Sequence, residues 1–164
     1  MKAFILLGII ALLGVSAAQA ATTPRSEVLV TVTAFADAFN KGDMKAAAAT
    51  TSPDGVAIVD DIAPHVWSGA GAFDAWGKAL ADSDKAQGIS DDVVTSGKVV
   101  RVIIDADRAY VVQLADYAFK QKGVPMQETS RIVYSLQKGK TGWLITGFTW
   151  VAGTPQPAAA AAKK

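Results

Sequence analysis

Ile103-Ile104-Asp105-Ala106-Asp107-Arg108-Ala109-Tyr110-Val111-Val112 sets two β-rich runs on either side of a turn. The same grammar repeats outward from it. The run before the turn spans residues 93–104 and the run after it 109–119, and residues 127–137 and 143–151 add two more. The later gaps, Lys122-Gly123-Val124-Pro125 and Lys138-Gly139-Lys140-Thr141-Gly142, are rich in turn formers. Gaps this short join antiparallel neighbours, because a parallel return needs a crossover of about a dozen residues or more. The second half of the chain is therefore predicted to be an antiparallel meander.

The first half has a different period. Val28, Val32, Phe35 and Phe39 form one stripe of an amphipathic helix over residues 25–40. Asn40-Lys41-Gly42-Asp43 ends it, and Asp43 is placed to cap a short second helix over 44–50. Ser52-Pro53-Asp54-Gly55 reads as a turn and 56–59 as a short strand that ends at Asp60-Asp61. Residues 62–71, with Pro64, His65 and Trp67, read as a loop. A third helix is expected over 72–81, with Phe73, Trp76 and Leu80 on one side, and the polar residues 82–92 as irregular. Helices followed by a meander predict an α+β fold, with N-terminal helices packed on an antiparallel sheet.

The ends of the chain read as processing and tail. Met1-Lys2 precedes the apolar run Ile5 to Val15, and Ser16-Ala17-Ala18-Gln19-Ala20 gives small residues at the two positions a signal peptidase requires. Residues 1–20 are predicted to be a signal peptide, cut after Ala20. The apolar run is too short for a spanning helix, which needs about 20 residues. The expected product is exported, to the periplasm or the medium, with no membrane attachment after cleavage. Residues 21–24 form a short leader, 25–152 the domain, and the Pro- and Ala-rich residues 153–164 a flexible tail.

Composition narrows the function. Cleavage removes Lys2 and no acid, leaving 15 basic and 15 acidic residues. Without a basic stripe there is no nucleic-acid partner to expect. With no cysteine, thiolate catalysis, disulfides and zinc–thiolate sites are excluded. A single histidine cannot build a His-rich metal site, no Gly-rich phosphate loop is present, and no cofactor is implied.

The order of these segments resembles the nuclear transport factor 2-like (SnoaL-like) superfamily over nearly the whole mature domain. Phe39-Asn40-Lys41-Gly42-Asp43 is similar to the end of that family's first helix. Residues 56–61 with Trp67-Ser68-Gly69 are similar to its first strand and loop, and Asp107 to Val112 to the start of a central strand. Gly142-Trp143-Leu144-Ile145-Thr146 with Thr149-Trp150 is similar to the closing strand. The likeness is greatest to exported bacterial members without an assigned reaction. It implies a cone-shaped, cystatin-like α+β roll with a pocket between a strongly curved sheet and the helices. It also implies homodimer formation through the sheet, as in many relatives. Because that fold carries many functions, the residues must decide.

Asp60 stands where the family's isomerase branch carries its general base, and an Asp beside an apolar pocket is suited to that role. Asp61 is its neighbour, and His65 could serve as acid or base with either. The rest of that branch's machinery is missing from this reading. Phe35 stands where a tyrosine would donate to the oxyanion, and the late strand from Thr129 to Tyr134 offers no acid, so steroid isomerisation of that kind is not expected. Asp116 and Tyr117 are adjacent on a strand and point to opposite faces, so one of them can enter a pocket. Trp67 and Trp150 are candidates for the mouth of a site for a flat or apolar ligand. Catalytic candidates are thus Asp60 and His65, and ligand-binding candidates Phe35, Asp61, Trp67, Asp116 and Trp150. The readings left open are a binder of a small apolar or aromatic organic molecule, a proton-transfer enzyme of isomerase, dehydratase or cyclase type, and a dimerisation module without a ligand.

Overall fold

The computed structural model describes residues 23–159. The expected signal peptide, residues 21–22 of the leader and residues 160–164 of the tail lie outside the described residues. Helix α1 (Pro24–Asn40) starts earlier than expected. Thr23 is its N-cap, its hydroxyl accepting from the Ser26 amide at 3.2 Å while Ser26 Oγ accepts from the Thr23 amide at 2.9 Å. Pro24 occupies the first turn, where no amide donor is needed. Val28, Val32 and Phe35 are buried, as their spacing requires. Asp43 caps α2 (Met44–Ala48) by accepting from the Ala46 amide at 2.9 Å.

Strand β1 (Val56–Val59) pairs antiparallel with β2 (Val66–Gly69), which lies inside the segment expected as a loop. Helix α3 (Ala72–Gln87) follows, then β3 (Ile89–Asp105), β4 (Arg108–Gln121), β5 (Val124–Gly139) and β6 (Gly142–Val151). A short β7 (Gln156–Pro157) pairs with β5. The main path through the sheet is β2-β1-β6-β5-β4-β3. The four long strands form the expected antiparallel meander, but β1 joins β6 in parallel, so the sheet is mixed. Gly147 allows that approach, since a Cβ there would lie 2.9 Å from the Ala57 carbonyl oxygen.

Two further boundaries differ from expectation. Helix α3 continues through 82–87, where polarity had suggested irregular chain. Its outer face is held by the Lys78–Asp82 pair at 2.5 Å and by Gln87 donating to Ser83 Oγ at 2.8 Å, both at helical spacing. Gly88, at φ +68°, ends it. The described part of the tail is laid on the sheet: β7 pairs with β5, and the Ala158 amide donates to the Pro125 carbonyl at 2.9 Å.

The helices pack against one face of the sheet. Val28 and Val32 of α1 pack in one core with Leu136, Trp143 and Ile145 near the β5–β6 turn. One helical turn on, Phe35 and Phe39 reach the opposite half of the sheet. The Asn40 side chain holds this end of α1 to β3, donating to the Val94 carbonyl at 2.8 Å and accepting from the Val94 amide at 3.0 Å.

Candidate functional site

At that second end the helices and sheet diverge around a cavity of about 180 Å³. Phe35, Tyr134 and Phe148 line its inner part, with Phe35 within 6.1 Å of Tyr134 and 5.2 Å of Phe148 between ring centroids. Trp76 and Phe39 wall it on the helical side, their rings 5.7 Å apart. Tyr117, Phe119 and Trp150 wall it on the sheet side. Strand register explains the selection. In β4 the residues Val111, Gln113, Ala115, Tyr117 and Phe119 alternate inward, and in β5 Glu128, Ser130, Ile132, Tyr134 and Leu136 do the same.

Asp60 continues the inward alternation of Val56 and Ile58 one step past β1 and is buried. The Trp76 indole donates to its Oδ2 at 2.8 Å. The following loop is tightly closed: the Asp60 amide donates to the His65 carbonyl at 3.0 Å and the His65 amide to the Ile62 carbonyl at 2.8 Å. Asp61, next to Asp60, has its carboxyl raised above the usual range, first by desolvation and then by the hydrogen bond to Asp60 and the charge of that group. Asp84 of α3 is pushed up to about 6 by desolvation and by the charges of Asp92 and Asp60. The Tyr117 phenol is also raised, by desolvation and then by Asp92, Asp84, Glu128 and Asp61, and Tyr134 is raised by burial. Both phenols therefore remain protonated at neutral pH. The Tyr134 hydroxyl is fully buried and, among the described residues, has no hydrogen-bond partner.

Glu128 is buried on β5 and accepts from Ser130 Oγ and from the Gly153 amide, the latter at 3.0 Å. Gly153 sits so close to β5 that a Cβ would fall 2.2 Å from the Thr129 carbonyl oxygen. The carboxylate thus anchors the chain after β6, which carries Pro155 to the cavity.

The cavity brings together Phe35, Asp60, Asp61 and Trp150, and leaves three expected residues outside. His65 is exposed at φ +75° and its Nδ1 lies 3.2 Å from the backbone oxygen of Asp60, not from its carboxylate. Trp67 is buried in the core opposite Ile58. Asp116 faces outward and accepts from Thr129 Oγ1 at 3.1 Å, so Tyr117 is the member of that pair that enters the site. The expected lack of an acid on the late strand is also corrected, because Glu128 lies one residue before the segment considered and faces the cavity. It shares a face with Ile132, Tyr134 and Leu136, and that alternation was the signal available. Asp84 was obscured by reading its segment as irregular.

The SnoaL-like domain family matches residues 28–147. The chain belongs to the SnoaL-like domain family. No curated protein matches the sequence. Among solved structures, this SnoaL-like domain resembles a ketosteroid isomerase-like protein from Erwinia carotovora atroseptica at 20% identity, covering 79% of this chain and 96% of that one, with a TM-score of 0.58. It resembles a hexachlorocyclohexane dehydrochlorinase from Novosphingobium barchaimii at 9% identity, covering 83% and 90%, with a TM-score of 0.68. A nuclear transport factor 2-like protein with a cystatin-like fold from Novosphingobium aromaticivorans matches at 16% identity, covering 85% and 86%, with a TM-score of 0.62. At these identities the likenesses establish the fold of the SnoaL-like domain and leave its chemistry to its own residues.

Proposed function

We propose that this SnoaL-like domain is an exported binding protein whose cavity takes a small apolar or aromatic organic molecule, without an assigned reaction. The observation that carries the reading is an open cavity walled by aromatic rings at one end of the core. Pockets of that kind, apolar with a few placed polar groups, are the usual form of small-molecule sites. The similarity to a protein named for acting on hexachlorocyclohexane agrees with a small organic ligand. Export rests on the pattern of residues 1–20 and is tested by sequencing the N-terminus of the protein recovered from outside the cytoplasm, which should begin at Ala21.

A thermal-shift screen against small aromatic, apolar and organic-acid compounds tests binding. A ligand at about 100 times its dissociation constant stabilises by roughly 2.7 kcal/mol, which raises the midpoint of a domain this size by several degrees. No shift across the library would count against the reading.

Proton transfer is the second reading, favoured by the elevated Asp61 carboxyl beside Asp60 and by two protonated phenols in the same cavity. In that case Asp61 is the base and His65 has no part. Solvent deuterium entering a bound carbon acid, and lost in Asp61→Asn, would support it. For pairing of two copies, the outer face of the sheet offers Ile103 and Tyr110, 43% and 39% exposed and directly paired across β3 and β4. The mass in solution, with Tyr110→Lys as the disrupting variant, tests this.

A further inference from the structure

We propose that the ligand of this cavity is an organic cation: a single-ring arylalkyl amine held in its ammonium form, with the ring among the aromatic walls and the nitrogen toward the carboxylates. The proposal rests on the binding reading above and specifies its ligand.

The first observation is the charge of the lining. Asp60, Asp61, Asp84, Asp92 and Glu128 all line the cavity, and among the described residues no Lys, Arg or His does. None of these five is in an ion pair among the described residues, although two acids near Asp84 and Asp92 in sequence are. Asp82 pairs with Lys78 at 2.5 Å and Asp91 with Lys120 at 2.7 Å, both outside the cavity. Those two lysines meet acids on the outer surface, and the acids facing the cavity have no cationic partner among the described residues. Their mutual repulsion is visible in Asp84, pushed up to about 6 in part by Asp92 and Asp60. An anionic ligand would add to this repulsion, and a neutral one would leave it unrelieved.

The second observation is independent of charge. Tyr134 lines the cavity, and its fully buried hydroxyl has no hydrogen-bond partner among the described residues. A buried polar group without a partner costs stability, and a ligand that meets it recovers the loss. An ammonium group has three N–H donors for such oxygens.

The third is the chemistry of the walls. Trp76, Trp150 and Tyr117 present the ring types that attract a cation to their faces, an attraction that strengthens when water is excluded. A bare metal ion does not fit the arrangement. Among the described residues no three His, Asp or Glu side chains converge closely enough to hold one, and aromatic walls offer a metal no ligands. Size sets the rest: the cavity holds about 180 Å³, and an apolar cavity of roughly 150 Å³ accepts a benzene ring.

Isothermal titration of the purified protein with three probes of one shape tests the proposal: 2-phenylethylammonium, neutral 2-phenylethanol and anionic phenylacetate. The ammonium probe is expected to bind about tenfold or more tighter than the alcohol, and phenylacetate not at all. Asp84→Asn and Asp92→Asn should each weaken the ammonium probe by about three- to tenfold and leave the alcohol unchanged. Alcohol binding equal to or tighter than ammonium binding overturns the cation while leaving the binding reading intact. Preference for phenylacetate does the same. Binding of none of the three overturns both. Ammonium binding that survives Asp84→Asn/Asp92→Asn at full strength overturns the role given to the carboxylates and with it the proposal.

Discussion

The two ends of the core are built by the same strands, on either side of a register shift in the β5–β6 ladder between Ser135 and Leu136, and they differ in kind. Near the β5–β6 turn, Leu136 and Ile145 face each other across the ladder and pack with Val28, Val32 and Trp143 into an apolar mass. Toward the other end of those strands the inward positions become Ser130, Glu128 and Tyr117, with Asp60 supplied by β1. Buried polar groups there are only partly satisfied, and the space between them is open. Burial of a carboxylate or an unpaired hydroxyl lowers stability. The buried carboxylates Asp60 and Glu128 both lie at this end, whereas the packed end holds a buried Trp143 indole without a partner among the described residues, so it is charge that separates the part that can meet a ligand from the part that holds the fold together.

Truncation should show this separation most strongly. Ile145→Ala removes a fully buried side chain from the packed end, and is expected to cost about 3–4 kcal/mol in urea unfolding. Phe119→Ala at the cavity wall should cost distinctly less than the ~3–5 kcal/mol usual for a core phenylalanine, because one side of its ring already faces open space. Equal losses would mean that the cavity end is as tightly packed as the other, and would break the contrast.

The next effect concerns the polar end. Trp76→Phe removes the indole that donates to Asp60 Oδ2 at 2.8 Å and is expected to destabilise by about 2 kcal/mol, since a buried carboxylate loses a charge-assisted partner. Adding Asp60→Leu should restore part of the loss, because it removes the carboxylate left without the indole and gives up the long 3.5 Å bond from the Ile62 amide. A double variant as unstable as the two losses added together would show that packing, not the hydrogen bond, is what Trp76 supplies. Smaller and opposite in sign is Tyr134→Phe. It deletes a hydroxyl with no partner, so the unliganded protein should gain about 1 kcal/mol in chemical unfolding while affinity for the 2-phenylethylammonium probe falls.

The packed end was the more legible in sequence, and the reason is physical. Its information is periodic: Val28 and Val32 at helical spacing and the short turn-rich gaps between β runs are local signals. The parallel β1–β6 contact is not local, and nothing in the period of Val56–Val59 tells which strand it joins. The cavity end was only partly legible. Asp60 and Asp61 stood out as acids at a strand end, and Phe35 and Trp150 as aromatics, but direction was missing for others. Asp116 and Tyr117 could not be told apart until the register of β4 against β5 fixed which one turned inward. His65 attracted a chemical reading because it is the sole histidine, whereas the fold places it on an exposed corner and bonds it to a backbone oxygen. Glu128 was the most readable omission, since it shares a face with Tyr134 and Leu136.

The smallest effect tests the rim. Asp84 is an acid whose folded value of about 6 lies above its ordinary 3.8. Between those values the native state binds more protons than the unfolded chain, so stability falls as pH rises through the window and is lower above pH 6 than below pH 4. Asp84→Asn removes this term, and the unfolding profile should flatten between about pH 4 and 6. The variant's advantage should be largest above pH 6. The side chain is partly solvated, so the gain should be below about 1 kcal/mol, well short of the full linkage value. Asp60, Asp61, Asp92, Glu128, Tyr117 and Tyr134 face the same cavity. Of these, Asp92 and Asp60 raise Asp84 most directly, so Asp92→Asn should recover part of the same gain with Asp84 intact. If Asp92→Asn leaves the profile of Asp84 unmoved, its elevation is desolvation alone. The two rim acids then act separately, and the uncompensated charge that distinguishes this end from the packed one is weaker than their placement implies.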